Sequence, residues 1–111
     1  MLPTELLEYE DESGRSPFRK WFSRLDDKTA ARINTYLERL VEGNFSNVKG
    51  VGGGVSELKA DFGPGYRIYF GRDGMSLVIL LAGGTKKRQQ DDIADAQCRW
   101  TEYKRVKQGK L

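Results

Sequence analysis

Residues 55–70 read VSELKADFGPGYRIYF, two segments of alternating character on either side of a Gly-Pro-Gly sequence. In both segments, mainly apolar and aromatic residues alternate with charged residues or tyrosine. A period of two places the two sets on opposite faces of a strand, and a short glycine-containing loop connects antiparallel strands. The stretch therefore predicts a β-hairpin with one core face and one polar face.

The polar face of this hairpin is the first candidate site. A three-residue turn over 63–65 predicts that Asp61 opposes Arg67 and that Lys59 opposes Tyr69. Two interpretations are open at this point. Either these side chains bind a ligand, or Arg67 pairs with Asp61 and Lys59 is solvated, since cross-strand ion pairs are common and individually weak.

The segments around the hairpin predict a single α+β domain over residues 1–111, a length typical of one domain. Helix-start and helix-stop sequences occur at Ser16-Pro17, Asp26-Asp27 and Gly43-Asn44. The apolar run of residues 75–82 indicates a central strand covered on both faces. We predict a first strand over 2–9, a flexible connection over 46–54 and a last helix over 90–106. The predicted order is β-α-α-β-β-β-α, a small antiparallel sheet with helices packed on one side.

Composition excludes several classes of site. The chain has no histidine and one cysteine, Cys98, which excludes Cys/His zinc sites, an internal disulfide and histidine-dependent nucleophilic catalysis. The glycine clusters lack the strand and helix context of a nucleotide-binding loop. There is no apolar run long enough to span a membrane and no pattern of a secretory leader, so we expect a cytoplasmic location.

Charge is distributed unevenly along the chain. The formal net charge is +3, but residues 1–14 hold five acids and no base, which leaves 19 bases against 11 acids in the remainder. A cationic body attracts polyanions, because binding phosphates releases counterions. Lys28, Arg32 and Arg39 fall on one side of the second predicted helix, opposite its apolar face. This basic ridge either contacts nucleic acid or is ordinary solubilising charge.

Without histidine, any catalysis by this chain must use Lys, Arg, Tyr, Asp, Glu, Ser or Thr, and for RNA cleavage lysine and arginine can supply every role. The reaction needs a base for the 2′-hydroxyl, a cation for the charge developing on phosphate and an acid for the leaving 5′-oxygen. Arg67 suits the charge-stabilising role, because its planar fork can bind two phosphate oxygens. Tyr69 is a candidate for stacking on an RNA base. Lys86, Lys87 and Arg88 form a predicted basic loop at the exit of the central strand.

The chain resembles the HigB-like branch of the RelE/ParE toxin superfamily, also called addiction-module killer proteins. The resemblance is carried by residues 55–70, by LLAGGTK over 80–86 and by Asp92-Ile93. It implies the toxin of a type II toxin–antitoxin pair, an endoribonuclease that uses no metal or cofactor, enters the ribosome, cuts mRNA and arrests translation. It also implies a cognate antitoxin protein with a helix-turn-helix domain as partner.

The resemblance also implies roles for individual residues. Lys59, Arg67 and Lys86 match the family's catalytic lysine, the arginine of its Gly-Tyr-Arg motif and the basic residue after its last strand. The basic ridge of the second helix would then contact ribosomal RNA. Together with the patterns above, the residues expected to bind RNA are Lys28, Arg32, Arg39, Tyr69, Lys87 and Arg88.

The chain departs from the family near its C-terminal end. Asp91, Asp92 and Ile93 occupy the region where relatives place a tyrosine or histidine. The general acid and the base-stacking residue are therefore open. Because ParE-type toxins share this fold and inhibit DNA gyrase by binding it, gyrase inhibition is one alternative function. A non-catalytic RNA-binding domain is the other.

Overall fold

A computed structural model describes residues 4–109 of the chain. The strands are β1 Glu5–Glu8, β2 Val48–Gly52, β3 Val55–Ala60, β4 Tyr66–Arg72 and β5 Leu77–Thr85. The helices are α1 Pro17–Phe22, α2 Asp27–Val41 and α3 Gln89–Lys107, and one turn of 3-10 helix, Lys86–Arg88, joins β5 to α3. This turn stands where a basic loop was predicted, and we name it the basic turn.

The five strands form one mixed sheet in the order β1-β5-β4-β3-β2. Successive strands from β2 to β5 pair antiparallel, whereas β1 pairs parallel with β5. A parallel pair needs a long connection, and here α1, α2 and the strands β2 to β4 lie between β1 and β5 in the chain. The predicted α+β class is confirmed, with a mixed sheet in place of a purely antiparallel one.

The connection predicted over 46–54 is wrong, because residues 48–52 form the edge strand β2. This strand pairs with β3 through Val48–Leu58 and Lys49–Glu57, with an irregularity between Gly50 and Gly52. Its sequence, VKGVG, shows neither alternation nor an apolar run, so side-chain periodicity could not indicate it. The backbone groups of a glycine still form ladder hydrogen bonds, which is sufficient for an edge strand.

Helix starts were predicted correctly from their capping residues. The Ser16 side chain accepts a hydrogen bond from the Arg19 backbone N–H at 3.0 Å, and Asp26 accepts one from Thr29 at 2.7 Å. Pro17 occupies the first helical position of α1, where a missing N–H costs nothing. Within residues 4–109, no helix is both long and apolar enough to cross a membrane.

The sheet is covered on both faces. Phe18 of α1 and Leu37 of α2 pack with Leu80 in one core cluster, while Trp100 of α3 packs with Leu81 in another. Adjacent residues of β5 thus face different helices, as expected for its continuous apolar run. The predicted packing on one side holds for α1 and α2, whereas α3 lies on the other face.

The hairpin between β3 and β4 has a different register from the predicted one. Lys59 opposes Arg67, and Ala60 opposes Tyr66. The loop has five residues, because a hydrogen bond from Gly65 N–H to the Phe62 carbonyl at 2.9 Å takes residues 61 and 62 out of the ladder. A shift of two residues preserves the faces of a strand, so the predicted polar face remains intact. Arg67 does not pair with Asp61.

Candidate functional site

The three residues expected to be catalytic lie at one end of the sheet: Lys59 on β3, Arg67 on β4 and Lys86 in the basic turn directly after β5. Lys59 of β3 opposes Arg67 of β4, and Arg67 opposes Gly84 of β5, two residues before Lys86. The Lys86 N–H donates a hydrogen bond to the Gly65 carbonyl at 3.0 Å, which attaches the basic turn to the hairpin loop. Adjacent strands are about 5 Å apart, so Lys59 and Gly84 are separated by roughly 10 Å across the sheet, and Lys86 follows Gly84 by two residues.

The three cations differ in their exposure. Lys59 and Lys86 are exposed, and neither has a carboxylate within 4.0 Å in the part of the chain that the structure describes. Arg67 is only 6% exposed, although the sequence predicted a phosphate-binding role at the surface. The reason is that α3 covers this face of the sheet. Two exposed ammonium groups therefore flank a buried guanidinium.

The charge of Arg67 is balanced by a buried acid, Glu57, which was not among the predicted site residues. Glu57 is 2% exposed, and its Oε1 lies 3.7 Å from Nε of Arg67. Its other oxygen accepts a hydrogen bond from Nε2 of Gln89 at 2.8 Å, at the start of α3. Glu57 occurs two residues before Lys59 on the predicted polar face, and this position was the available signal. The acid ties β3, β4 and α3 together.

Tyr69 is buried, so the expectation that it stacks on an RNA base is wrong. Its side chain is 0% exposed and packs in the core cluster under α3. Burial, with the nearby Glu57 and Asp92 carboxylates, raises the pKa of the Tyr69 hydroxyl. The hydroxyl makes no hydrogen bond of normal geometry among the described residues, and its contact with the Glu57 carboxylate is a looser one.

Asp92 is the second buried acid on this face. It is 8% exposed, and burial raises the pKa of its carboxyl although Arg88 lies nearby. Its Oδ1 is 3.7 Å from Nε of Arg88, whereas its Oδ2 has no partner in residues 4–109. The carboxyl rests on Gly84, where a Cβ atom would lie 2.0 Å from Oδ2. Glycine at this position is what allows the acid to approach the sheet.

A buried polar layer, formed by Glu57, Arg67, Tyr69 and Asp92, thus lies between the sheet and α3. Three of its atoms lack a hydrogen-bond partner in the described part of the chain: Arg67 Nε, Tyr69 Oη and Asp92 Oδ2. An unpaired buried polar group costs about 1–3 kcal/mol, so natural proteins rarely retain several without a reason. Perturbed, poorly paired groups of this kind are typical of functional sites.

The other residues expected to bind RNA are exposed but lie in two places. Lys87 and Arg88 belong to the basic turn, where Arg88 is near both Asp91 and Asp92. The ridge of Lys28, Arg32 and Arg39 is solvent-facing on α2, as predicted. Because α2 covers the opposite face of the sheet, the ridge does not adjoin the polar layer directly.

The acidic segment near the N-terminus lies away from the basic turn. Glu8 forms an ion pair with Arg19, and Asp11 and Glu12 line a cleft with Glu102 of α3. Glu102 is 14 residues beyond Arg88, which corresponds to about 21 Å along a helix. The acids therefore do not shield Lys86 or its neighbours. No cluster of metal-ligating side chains occurs within residues 4–109.

Comparison with known proteins places these features in a family. The family described as "Phage derived protein Gp49-like (DUF891)" matches residues 20–101, which include every residue of the polar layer. A protein of Haemophilus influenzae, named "Uncharacterized protein", is 44% identical over 81 residues, covering 72% of this chain and 82% of the relative. The chain therefore belongs to the phage-derived Gp49-like family (DUF891), a toxin-like family of toxin–antitoxin systems.

Proposed function

We propose that this chain is the toxin of a toxin–antitoxin pair and a HigB-like, ribosome-dependent endoribonuclease that cuts mRNA without a metal ion. The observation that carries the proposal is two exposed lysines, Lys59 and Lys86, on either side of Arg67, with no carboxylate within 4.0 Å of either among residues 4–109. Family membership supports the toxin role and an antitoxin partner. The nuclease activity and the ribosome as its place of action rest on the site and on the resemblance.

In this proposal the two lysines contact the scissile phosphate. The 2′-oxygen attacks the adjacent phosphorus as it loses its proton, and the bond from phosphorus to the 5′-oxygen breaks as that oxygen gains one. The ammonium groups stabilise the charge that develops on the phosphate oxygens. A lysine can donate a proton as an ammonium and accept one as an amine, so the pair also supplies the proton transfers.

Arg67 acts through its neighbours in this mechanism. Its guanidinium is buried beside Glu57, and its Nη1 lies 3.5 Å from the Tyr66 carbonyl at the end of the hairpin loop. A Cβ atom on Gly65 would lie 3.3 Å from Nη1 and 4.0 Å from Cβ of Lys86. Arg67 therefore supports the loop to which Lys86 is attached, and we assign it as a positioning residue.

The test is cleavage of translated mRNA by two lysine variants. After brief induction, primer extension on a reporter message is compared for the wild-type chain, Lys59→Gln, Lys86→Gln and the matched control Lys20→Gln, an exposed lysine of α1. Loss of a transition-state contact costs about 10²–10³-fold in rate, so cuts should nearly vanish in the two site variants and persist in the control. Ribosome-free RNA should remain intact in all samples.

Four outcomes contradict the proposal in different ways. Equal cutting by all four chains would show that Lys59 and Lys86 take no part in cleavage. Cutting of ribosome-free RNA would show that cleavage does not require the ribosome. Intact message in arrested cells, with loss of DNA supercoiling, would support the gyrase alternative, and intact message in growing cells would support a binding domain.

A further inference from the structure

Four half-buried aromatic side chains form a continuous row on the sheet face covered by α1 and α2. Ring centroids are 6.0 Å apart between Tyr36 and Phe62, 5.1 Å between Phe62 and Tyr66, and 6.2 Å between Tyr66 and Trp21. All four are intermediate in exposure, so part of each remains accessible. We name this set, Tyr36, Phe62, Tyr66 and Trp21, the aromatic row.

Two arginines of α2 lie on the rings of this row. The Arg32 guanidinium carbon is 4.1 Å from the Phe62 ring centroid, and that of Arg39 is 5.1 Å from the Tyr36 centroid. Both residues are exposed, and neither has a carboxylate within 4.0 Å among residues 4–109. The rings order these cations without neutralising them, so the charge remains available to a ligand.

The aromatic row includes two residues of the hairpin loop region, Phe62 and Tyr66, and this loop adjoins the proposed cleavage site. Tyr66 immediately precedes Arg67, and the loop from Phe62 to Tyr66 contains the Gly65 carbonyl that accepts the Lys86 N–H. The same loop thus contacts Lys86 at one end and presents Phe62 to Arg32 at the other. A strand held at Lys59 and Lys86 has a direct path over the hairpin loop to α2.

We propose that the aromatic row, with Arg32 and Arg39, binds the single-stranded RNA that flanks the cut. Bases stack on exposed ring surface or on the outer face of a guanidinium, and phosphates pair with the two arginines. Accessible rings favour a single strand, because bases within a duplex are already stacked on one another. Unneutralised cations favour a polyanion over a basic protein segment. This inference rests on the proposed function and specifies the substrate path of the same site.

The chain offers a matched control for this surface. Arg72 lies over the Phe45 ring at 4.6 Å, which repeats the Arg32–Phe62 arrangement. Phe45 packs against the same core cluster as Phe62, yet Arg72 is at the far end of β4 from the hairpin loop. The two pairs therefore share chemistry and packing but differ in their distance from the proposed site.

The experiment measures binding of a fluorescent 12-nucleotide single-stranded RNA and of a duplex of equal length to the purified chain. Phe62→Leu and Arg32→Gln are compared with Phe45→Leu and Arg72→Gln over a series of salt concentrations. Phe62→Leu should weaken single-strand binding roughly 5-fold or more with an unchanged salt slope, because stacking carries no charge. Arg32→Gln should reduce the slope of log affinity against log salt by about 0.7, the value of one phosphate contact.

Several results would overturn the inference: unchanged binding by Phe62→Leu and Arg32→Gln, equal losses in the control variants, preference for the duplex, or no RNA binding by the wild-type chain. Arg32 is exposed, so Arg32→Gln is expected to fold and keeps the test decisive if Phe62→Leu does not. If the wild-type chain cuts translated mRNA and Phe62→Leu binds RNA as tightly as the wild-type chain, the proposed nuclease function is supported and the aromatic row is not part of its RNA site. If RNA binding depends on the aromatic row but no mRNA is cut, the RNA-binding surface is supported and the nuclease function is contradicted.

Discussion

The Oε1 atom of Glu57 lies 3.7 Å from the Nε atom of Arg67, and both side chains are buried between the sheet and α3. A charge on one of them is tolerated because the other compensates it. Glu57→Gln keeps the shape of the side chain and an oxygen that can accept from Gln89, but it leaves Arg67 as an unpaired buried cation. We expect the free energy of unfolding in urea to fall by about 3 kcal/mol, as for other buried pairs that lose one partner.

Two further variants make this prediction specific. Glu38→Gln, an exposed acid on α2, should change stability by less than about 0.5 kcal/mol. Adding Arg67→Met to Glu57→Gln should recover part of the loss, because the unpaired charge is then gone. Equal stability of Glu57→Gln and the wild-type chain would show that the two groups do not interact.

Tyr69→Phe should be neutral or stabilising. The Tyr69 hydroxyl is buried and makes no hydrogen bond of normal geometry in the described residues, so its removal relieves a desolvation cost and loses only a looser contact with the Glu57 carboxylate. Thermal unfolding should show an equal or higher midpoint, and cleavage of translated mRNA should be unchanged. A lower midpoint would show that the hydroxyl makes a stabilising hydrogen bond. Loss of cleavage in a folded Tyr69→Phe chain would show that Tyr69 does take part in the site.

Gly71→Ala should destabilise the chain through the close approach of α3. A Cβ atom at this position would lie 2.4 Å from the Trp100 ring, which is itself buried. Overpacking of this kind costs about 1–3 kcal/mol. Gly50→Ala is the matched control, since a Cβ there meets nothing within 4 Å. The packing of α3 would be contradicted if the denaturation midpoint fell equally in both variants, or if it fell in neither.

The pKa of Tyr103 reports on the anchor of the C-terminal part of α3. Burial and the hydrogen bond that its hydroxyl donates to Oδ2 of Asp73 at 2.7 Å raise the pKa of Tyr103 to about 12. Asp73→Asn should return this pKa toward the usual value of about 10. The measurement is tyrosinate absorbance against pH, with Tyr103→Phe subtracted to isolate this residue.

The sign of the linked stability effect follows from the direction of this shift. The folded chain holds the Tyr103 proton more tightly than the unfolded chain, so the stabilisation is complete below about pH 10 and is lost as pH rises through about 12. Asp61→Asn, in the hairpin loop, should leave the Tyr103 titration unchanged. A Tyr103 pKa that is insensitive to Asp73→Asn would mean that the hydrogen bond does not form in solution.

Local chemistry made several features predictable. Ser16 and Asp26 cap their helices because a side-chain oxygen next to free N–H groups acts within four residues. The polar and apolar faces of the hairpin were predicted correctly even though the register was not, because a two-residue shift preserves alternation. Strand β2 was not predicted, because an edge strand can be held by backbone hydrogen bonds without an alternating pattern of side chains.

The sequence by itself determined which side chains share a face, where α1 and α2 begin and which cations are available, since these depend on strand period, capping and composition. Only the tertiary structure decided that α3 covers the polar face, which buries Arg67 and Tyr69 and pairs Arg67 with Glu57. The choice of face depends on contacts between residues far apart in the chain, such as Trp100 against Gly71. Local periodicity carries no information about such contacts, because either face of a doubly buried strand such as β5 can accept a helix.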